Sequence, residues 1–188
     1  ESDRHVANEQ GRARPAVAPP GEVKGGQDTA PGRWRYAGSS VAIRWGLCCL
    51  FVEEPIRFGI RQATHLGRFD RAHQLEMLAA TVRNNGDSLL RAIRYCHGHG
   101  IGAFRVNSRL FPLKTHPDLG YRLEELPGYT AIEEVYGLAR AAAAHLNVRL
   151  GFHPDQFTLL SSPDAGVTTR SLAELAYHAE AAELIGAD

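Results

Sequence analysis

Two histidines follow apolar runs and stand directly before a proline, in Thr115-His116-Pro117 and in Phe152-His153-Pro154. Imidazole is the commonest metal-binding side chain, and a proline restricts the conformation of the residue before it. Two such histidines at the ends of neighbouring strands would share a divalent ion. The same spacing also fits histidines that cap a helix or lie in the core with neutral hydrogen-bonding roles, so both interpretations stay open here.

The residues after the second histidine, Asp155-Gln156-Phe157, place an aromatic ring beside an amide at a loop tip. A ring held in this way can insert between base pairs while the amide takes up the hydrogen bonds that are freed. The alternative is a core role, in which Phe157 folds back beneath the next helix. Gln156 and Phe157 are therefore candidate contacts to nucleic acid, with the core role of Phe157 as the competing interpretation.

The sequence contains no motif for several other common functions. No Gly-x-Gly-x-x-Gly follows a predicted strand, and no Gly-x-Ser-x-Gly occurs, so dinucleotide binding and serine hydrolase chemistry have no support. A closed structural zinc site would need a cluster such as Cys-x-x-Cys, which is absent from the sequence. No residue can be assigned as the catalytic acid, base or nucleophile.

Composition indicates an ordinary globular protein. Lys plus Arg and Asp plus Glu each number 21 in 188 residues, so the formal net charge is zero and does not by itself favour nucleic acid. The three cysteines, two of them adjacent, favour reduced, buried thiols in a cytoplasmic protein over a disulfide framework. No run of about 18 uncharged apolar residues predicts a membrane span.

The elements that must position these residues alternate along the chain. The apolar patterns predict strands over 41–51, 103–108 and 148–153, and helices over 72–97, 130–145 and from after 164 to 184. One helix per strand predicts a parallel α/β fold. Asn84-Asn85-Gly86 interrupts the pattern of the first helix and weakens the prediction that it is unbroken. Thr130 is predicted to cap the second helix, with Glu133 completing a capping box.

The chain divides into two parts. Residues 1–38 are rich in Gly, Pro, Arg and Ala without a periodic apolar pattern, which predicts a disordered or non-native N-terminal extension. Residues 39–188 hold the predicted strands and helices. Three strands are few, because a closed barrel of this class needs eight. We therefore expect residues 39–188 to be the front portion of a larger fold.

Three blocks, taken in order, resemble the UV damage endonuclease family, whose members are metal-dependent DNA repair nucleases on a TIM (β/α)8 barrel. The blocks are Ile43 to Phe51, Phe104 to Pro117, and Gly151 to Phe157 followed by Ser161-Ser162-Pro163. The resemblance covers about Val41 to Asp188. It implies that this chain holds the first three βα units of such a barrel.

The resemblance implies an enzyme that nicks the DNA backbone on the 5′ side of UV photoproducts, with divalent metals, Mn²⁺ first and Mg²⁺ as the alternative. It implies that His116 and His153 are metal ligands, and that Gln156 and Phe157 probe the duplex at the lesion. Candidate contacts to the DNA backbone are Arg105, Asn107 and Lys114. The partner would be UV-damaged double-stranded DNA, bound by a monomer. The family's remaining ligands lie on later strands, so we expect these residues alone to be inactive.

Two other hypotheses compete with a DNA repair nuclease. A sugar isomerase or epimerase on a similar divalent-metal barrel would also place histidines at strand ends. The aromatic-amide pair and the resemblance in both His-Pro blocks weigh against it. A non-catalytic remnant or binding module is the third reading, since only three strands are predicted.

Overall fold

A three-stranded parallel sheet lies at the centre of the computed structural model, which describes residues 33–35, 42–48 and 50–187. The strands are β1 Arg33–Arg35, β2 Ala42–Arg44, β3 Gly46–Cys48, β4 Ala103–Val106 and β5 Arg149–Phe152. The helices are α1 Ala63–Leu66, α2 Arg71–Gly98, α3 Tyr129–His145 and α4 Ala165–Ile185, with a 3-10 turn at Leu123–Glu125 before α3.

The main sheet has the order β3-β4-β5, and both pairs are parallel. α2 connects β3 to β4, and α3 connects β4 to β5. The register places Phe104 opposite Leu150 and Val106 opposite Phe152. The predicted parallel α/β fold is confirmed. Because the strands are parallel, the loops that follow them meet at one edge of the sheet.

The predicted first strand, residues 41–51, is divided at Trp45. β2 pairs antiparallel with β1, whereas β3 pairs with β4 in the main sheet. The Trp45 carbonyl accepts hydrogen bonds from the amides of Gly102 and Ala103, both at 3.0 Å, and the Trp45 side chain is exposed. The prediction of one continuous strand over residues 41–51 is therefore wrong, because the backbone changes partner at Trp45.

Three residues of the N-terminal extension predicted over residues 1–38 have regular structure. Arg33–Arg35 form β1, so these three residues are not disordered, and the prediction of a disordered or non-native extension otherwise stays a prediction. Pairing with β2 supplies the backbone hydrogen bonds that composition alone does not predict. Residues 1–32 and 36–38 lie outside the described residues.

The cysteines differ in their surroundings. Cys96 is buried in α2, and burial raises the pKa of its thiol to about 11, which keeps it protonated near neutral pH. Cys48 is exposed at the end of β3, so the prediction of buried thiols is wrong for it. Cys96 is a free thiol, and Cys49 lies outside the described residues.

The helix predicted over 72–97 is confirmed as α2, and it runs through Asn84-Asn85-Gly86 without a break. A Cβ added at Gly86 would lie 2.6 Å from Val135 Cγ1 and 3.2 Å from the Tyr136 ring, so glycine lets α3 pack closely against α2. The Tyr136 hydroxyl donates to the Val82 carbonyl across the same contact at 2.9 Å. The interruption in the pattern marks a helix–helix contact.

The helix starts use different caps. α3 begins at Tyr129 after Gly128, which has φ 73° and no side chain, so the predicted Thr130 cap is wrong and Thr130 lies inside the first turn. α4 begins after Asp164, whose Oδ1 accepts from the amides of Gly166 at 2.7 Å and Val167 at 3.2 Å. No helix among the described residues is both long and apolar enough to cross a bilayer.

Candidate functional site

A cleft of about 690 Å³ opens at the edge of the sheet where the strands end. Its walls are the loops that follow β3, β4 and β5, together with the first half of α4. Functional side chains of parallel α/β proteins commonly lie at this edge, because the loop that follows each strand begins there. The predicted His116 and Phe157 both line the cleft.

The loop after β3 is held by a row of buried polar side chains on α2. The Asn85 side chain accepts from the Gly59 amide at 2.6 Å, and its amide group donates to the carbonyls of Gly59 at 3.1 Å and Leu110 at 2.8 Å. Ser88 Oγ donates to the Arg57 carbonyl at 2.6 Å. Asn85 therefore joins the loop after β3 to the loop after β4 through its single side chain.

The loop after β4 is held by α4. The Tyr177 hydroxyl donates to the Ser108 carbonyl at 2.9 Å and accepts from the Phe111 amide at 3.1 Å. Burial raises the pKa of Tyr177, so the hydroxyl keeps its proton for this double contact. One turn earlier, the Thr115 hydroxyl donates to Glu174 Oε1 by a short hydrogen bond. These contacts fix the backbone that carries His116.

His116 is half-buried and serves as an acceptor for its own loop. Its Nδ1 accepts from the amides of Asp118 at 3.2 Å and Leu119 at 3.3 Å. Gly120 permits this turn, since a Cβ there would lie 2.6 Å from the His116 carbonyl oxygen. With Nδ1 as acceptor, a neutral ring carries its proton on Nε2. The ring thus has a neutral hydrogen-bonding role in a turn and does not cap a helix, and it leaves no ring lone pair for a metal until these bonds are released.

His153 follows β5 directly and is exposed, as expected for a residue at a strand end. It does not line the cleft that His116 lines. The two histidines therefore lie in loops that follow adjacent strands, but only His116 lines the cleft. Their role as joint metal ligands stays a prediction.

Phe157 stands out from the loop after β5, with 74% of its surface exposed, and Gln156 beside it is also exposed. The core interpretation of Phe157 is wrong, because an apolar ring in the core would be covered. The ring lies at the rim of the cleft, where a binding partner can reach it. The nucleic-acid role of this pair stays a prediction.

The three candidate contacts to the DNA backbone have different surroundings. The Lys114 side chain is only 9% exposed, with its ammonium 3.1 Å from Glu180 Oε1. Arg105 is exposed and its guanidinium donates to Cys48 Sγ at 2.5 Å. The Asn107 side chain accepts from the Arg109 amide at 2.8 Å. In this structure Lys114 and Asn107 therefore stabilise the loop after β4, whereas Arg105 is accessible to a phosphate.

Sequence reasoning gave no separate role to the residues that brace the loops. These are Asn85 and Ser88 on α2, Glu174 and Tyr177 on α4, and Asp155 in the loop after β5. A signal was available in α2, where Thr81, Asn85 and Ser88 lie at helical spacing on the buried face. No such signal marked α4, because its contacts depend on which loop lies beneath it.

A complete metal site needs several donor side chains close together. Across residues 33–35, 42–48 and 50–187, no three His, Cys, Asp or Glu side chains are grouped so that they could hold a metal ion. His116 uses Nδ1 for backbone amides. The described residues thus do not form a complete coordination set.

Comparisons with known proteins agree with one another. The family model described as UV-endonuclease UvdE matches residues 43–188. A UV DNA damage endonuclease of Bacillus velezensis is 33% identical over 119 residues, which is 63% of this chain and 36% of that protein. One from Bacillus cereus (strain B4264) is 28% identical over 123 residues, 65% of this chain and 37% of that protein.

A solved structure has the same fold. The crystal structure of SacUVDE superposes with a TM-score of 0.65 at 19% sequence identity, covering 77% of this chain and 46% of that one. The chain therefore spans about a third of the length of the curated relatives it matches, and under half of the solved structure.

Proposed function

The chain belongs to the UV-endonuclease UvdE family, and on that basis we propose that it is a DNA repair endonuclease that nicks the phosphodiester backbone on the 5′ side of UV photoproducts. The observation that carries the proposal is the exposed Phe157 at the rim of the cleft. We propose UV-damaged double-stranded DNA as the partner, bound by a monomer.

We propose further that the parallel sheet corresponds to the first three βα units of a (β/α)8 barrel. One long helix follows each of the three strands of the parallel sheet, and these strands lie in chain order. The cleft lies among the loops after the strands, which is the functional end of barrels of this class. A contribution from all three loops supports a site of that kind.

The proposed recognition step uses the chain's own residues. Phe157 would enter the duplex as a wedge at the damaged step, and Gln156 would take up hydrogen bonds that the displaced bases lose. A damaged step is easier to unstack than an intact one, so insertion there discriminates lesions. Arg105 and Arg109 are both exposed, and their guanidiniums would contact phosphates next to the damaged step.

Binding and nicking of UV-irradiated DNA test the proposed function. We expect the purified chain to bind an irradiated duplex in preference to the same duplex without irradiation, measured by fluorescence anisotropy. Denaturing gels with Mn²⁺ measure nicking, with the Bacillus velezensis relative as positive control, and any nick should map to the 5′ side of the photoproduct. Selective binding without nicking supports lesion recognition by these residues. Equal binding of both duplexes together with intact strands would contradict the proposal.

We extend the proposal to a divalent metal, Mn²⁺ first and Mg²⁺ as the alternative, with His116 and His153 as two of its ligands. Such a metal would activate a water molecule and stabilise charge on the leaving oxygen. His116 would first have to release the amides of Asp118 and Leu119, either to bind through Nδ1 or to move its proton to Nδ1 and bind through Nε2.

Calorimetric titration with Mn²⁺ tests the two ligands. His116→Ala and His153→Ala should each weaken the affinity by about tenfold or more, because each removes a ligand. His99→Ala is the matched control, since His99 is exposed at the end of α2 and away from the cleft. Its Nδ1 is hydrogen-bonded to the Tyr95 carbonyl. Equal affinity in all three variants would remove the ligand assignment.

A further inference from the structure

The turn that presents Phe157 is made by the side chain of Asp155. The Phe157 amide donates to Asp155 Oδ1 at 3.2 Å, and the Thr158 amide donates to the Asp155 carbonyl at 2.9 Å. This is an Asx turn, in which a carboxylate oxygen takes the place of a backbone carbonyl. After the turn, the Leu159 amide donates to Ser171 Oγ of α4 at 2.8 Å, which anchors the far side of the loop.

Asp155 also faces a cation from the neighbouring loop. Its Oδ2 lies 3.9 Å from Arg109 Nη2, with the two side chains 33% and 64% exposed. An ion pair at this distance and exposure contributes little, because water screens both charges. The hydrogen bond to the Phe157 amide is therefore the stronger restraint on the loop tip.

Phe157 itself has little packing to fix its direction, since most of its ring is in solvent. Its orientation must come from its backbone, and Asp155 holds that backbone. A side chain that is already oriented before binding loses less conformational entropy when the complex forms. We infer that Asp155 is a positioning residue, which pre-orients Phe157 for insertion into UV-damaged duplex DNA. This inference rests on the proposed function.

Two substitutions at Asp155 separate the turn from the charge. Asp155→Ala removes both, whereas Asp155→Asn keeps an oxygen acceptor for the Asx turn and loses only the negative charge. Asp164→Ala is the matched control, because Asp164 also accepts backbone amides, those of Gly166 and Val167, but at the start of α4. Circular dichroism checks that each variant is folded.

The measured quantity is the ratio of affinities for irradiated and unirradiated duplex. Asp155→Ala should lower this ratio by about five- to tenfold, the range expected for the loss of one typical intramolecular hydrogen bond. Asp155→Asn and Asp164→Ala should leave the ratio near the wild-type value. In a Phe157→Ala background, Asp155→Ala should lower the ratio no further, because the residue it orients is gone.

Hydrogen exchange of the Phe157 amide reports the turn without DNA. Exchange should be faster in Asp155→Ala than in the wild type and unchanged in Asp164→Ala. Unchanged exchange in Asp155→Ala would overturn the inference. So would an unchanged affinity ratio in Asp155→Ala when the wild type distinguishes the two duplexes. A wild-type chain that does not distinguish them would overturn the proposed function, and the inference with it.

Discussion

Asn85→Ala should lower the free energy of unfolding by about 3 kcal/mol, the largest stability change we expect from one substitution around the cleft. Asn85 is fully buried and makes three hydrogen bonds to the backbone of Gly59 and Leu110. Alanine removes all three and leaves the buried Leu110 carbonyl and the partly buried Gly59 amide without these partners. Orphaned groups of this kind cost about 1–3 kcal/mol each, reduced where water can reach them.

Urea unfolding measures this change, and the neighbouring residue supplies the control. Asn84→Ala makes the same chemical change on the exposed side of α2, so it should stay within about 0.5 kcal/mol of the wild type. If both variants unfold at the same urea concentration with the same slope, Asn85 does not anchor the two loops as described.

Phe157→Ala should reduce the preference for irradiated over unirradiated duplex by about tenfold or more, because stacking of an aromatic ring on a base contributes about 1–3 kcal/mol. It should leave the urea midpoint nearly unchanged, since the ring is 74% exposed and contributes little to the core. It should weaken lesion selectivity more than it weakens Mn²⁺ binding. Anisotropy titrations with both duplexes measure the preference.

Further variants test whether the ring itself is responsible. Phe157→Tyr should retain the preference, because either ring can stack or act as a wedge. Leu138→Ala truncates another exposed apolar side chain, on α3 and outside the cleft, and should have no effect on DNA binding. A preference that is equal in Phe157→Ala and Leu138→Ala would contradict the wedge role.

The loops show where local sequence signals end. Asn84-Asn85-Gly86 looked like a helix interruption because Gly and Asn are weak helix formers. In the folded chain, Gly86 makes room for α3, and Asn85 bonds to loops that follow two different strands. A weak helix former can thus be retained for contacts that are distant along the chain, and those contacts outweigh local propensity.

Much of the fold could be predicted from the sequence by itself. The alternation of apolar strands with amphipathic helices determined a parallel α/β fold. Two neighbouring parallel strands must be joined by a long crossover connection, and each predicted helix supplies one. It also placed His116, His153 and Phe157 in the loops after the strands, since a strand end is marked locally by Pro and polar residues. These features depend on periodicity and chain direction, which are properties of short segments.

Only the tertiary structure decided what the side chains at this edge contact. Lys114 forms an ion pair with Glu180, His116 Nδ1 accepts from backbone amides, and the Phe157 ring is exposed to solvent. The physical reason is that a hydrogen bond or ion pair is decided by which groups arrive within about 3–4 Å of each other. For Lys114 that partner comes from α4, far along the chain, and no local pattern specifies which helix face will cover which loop.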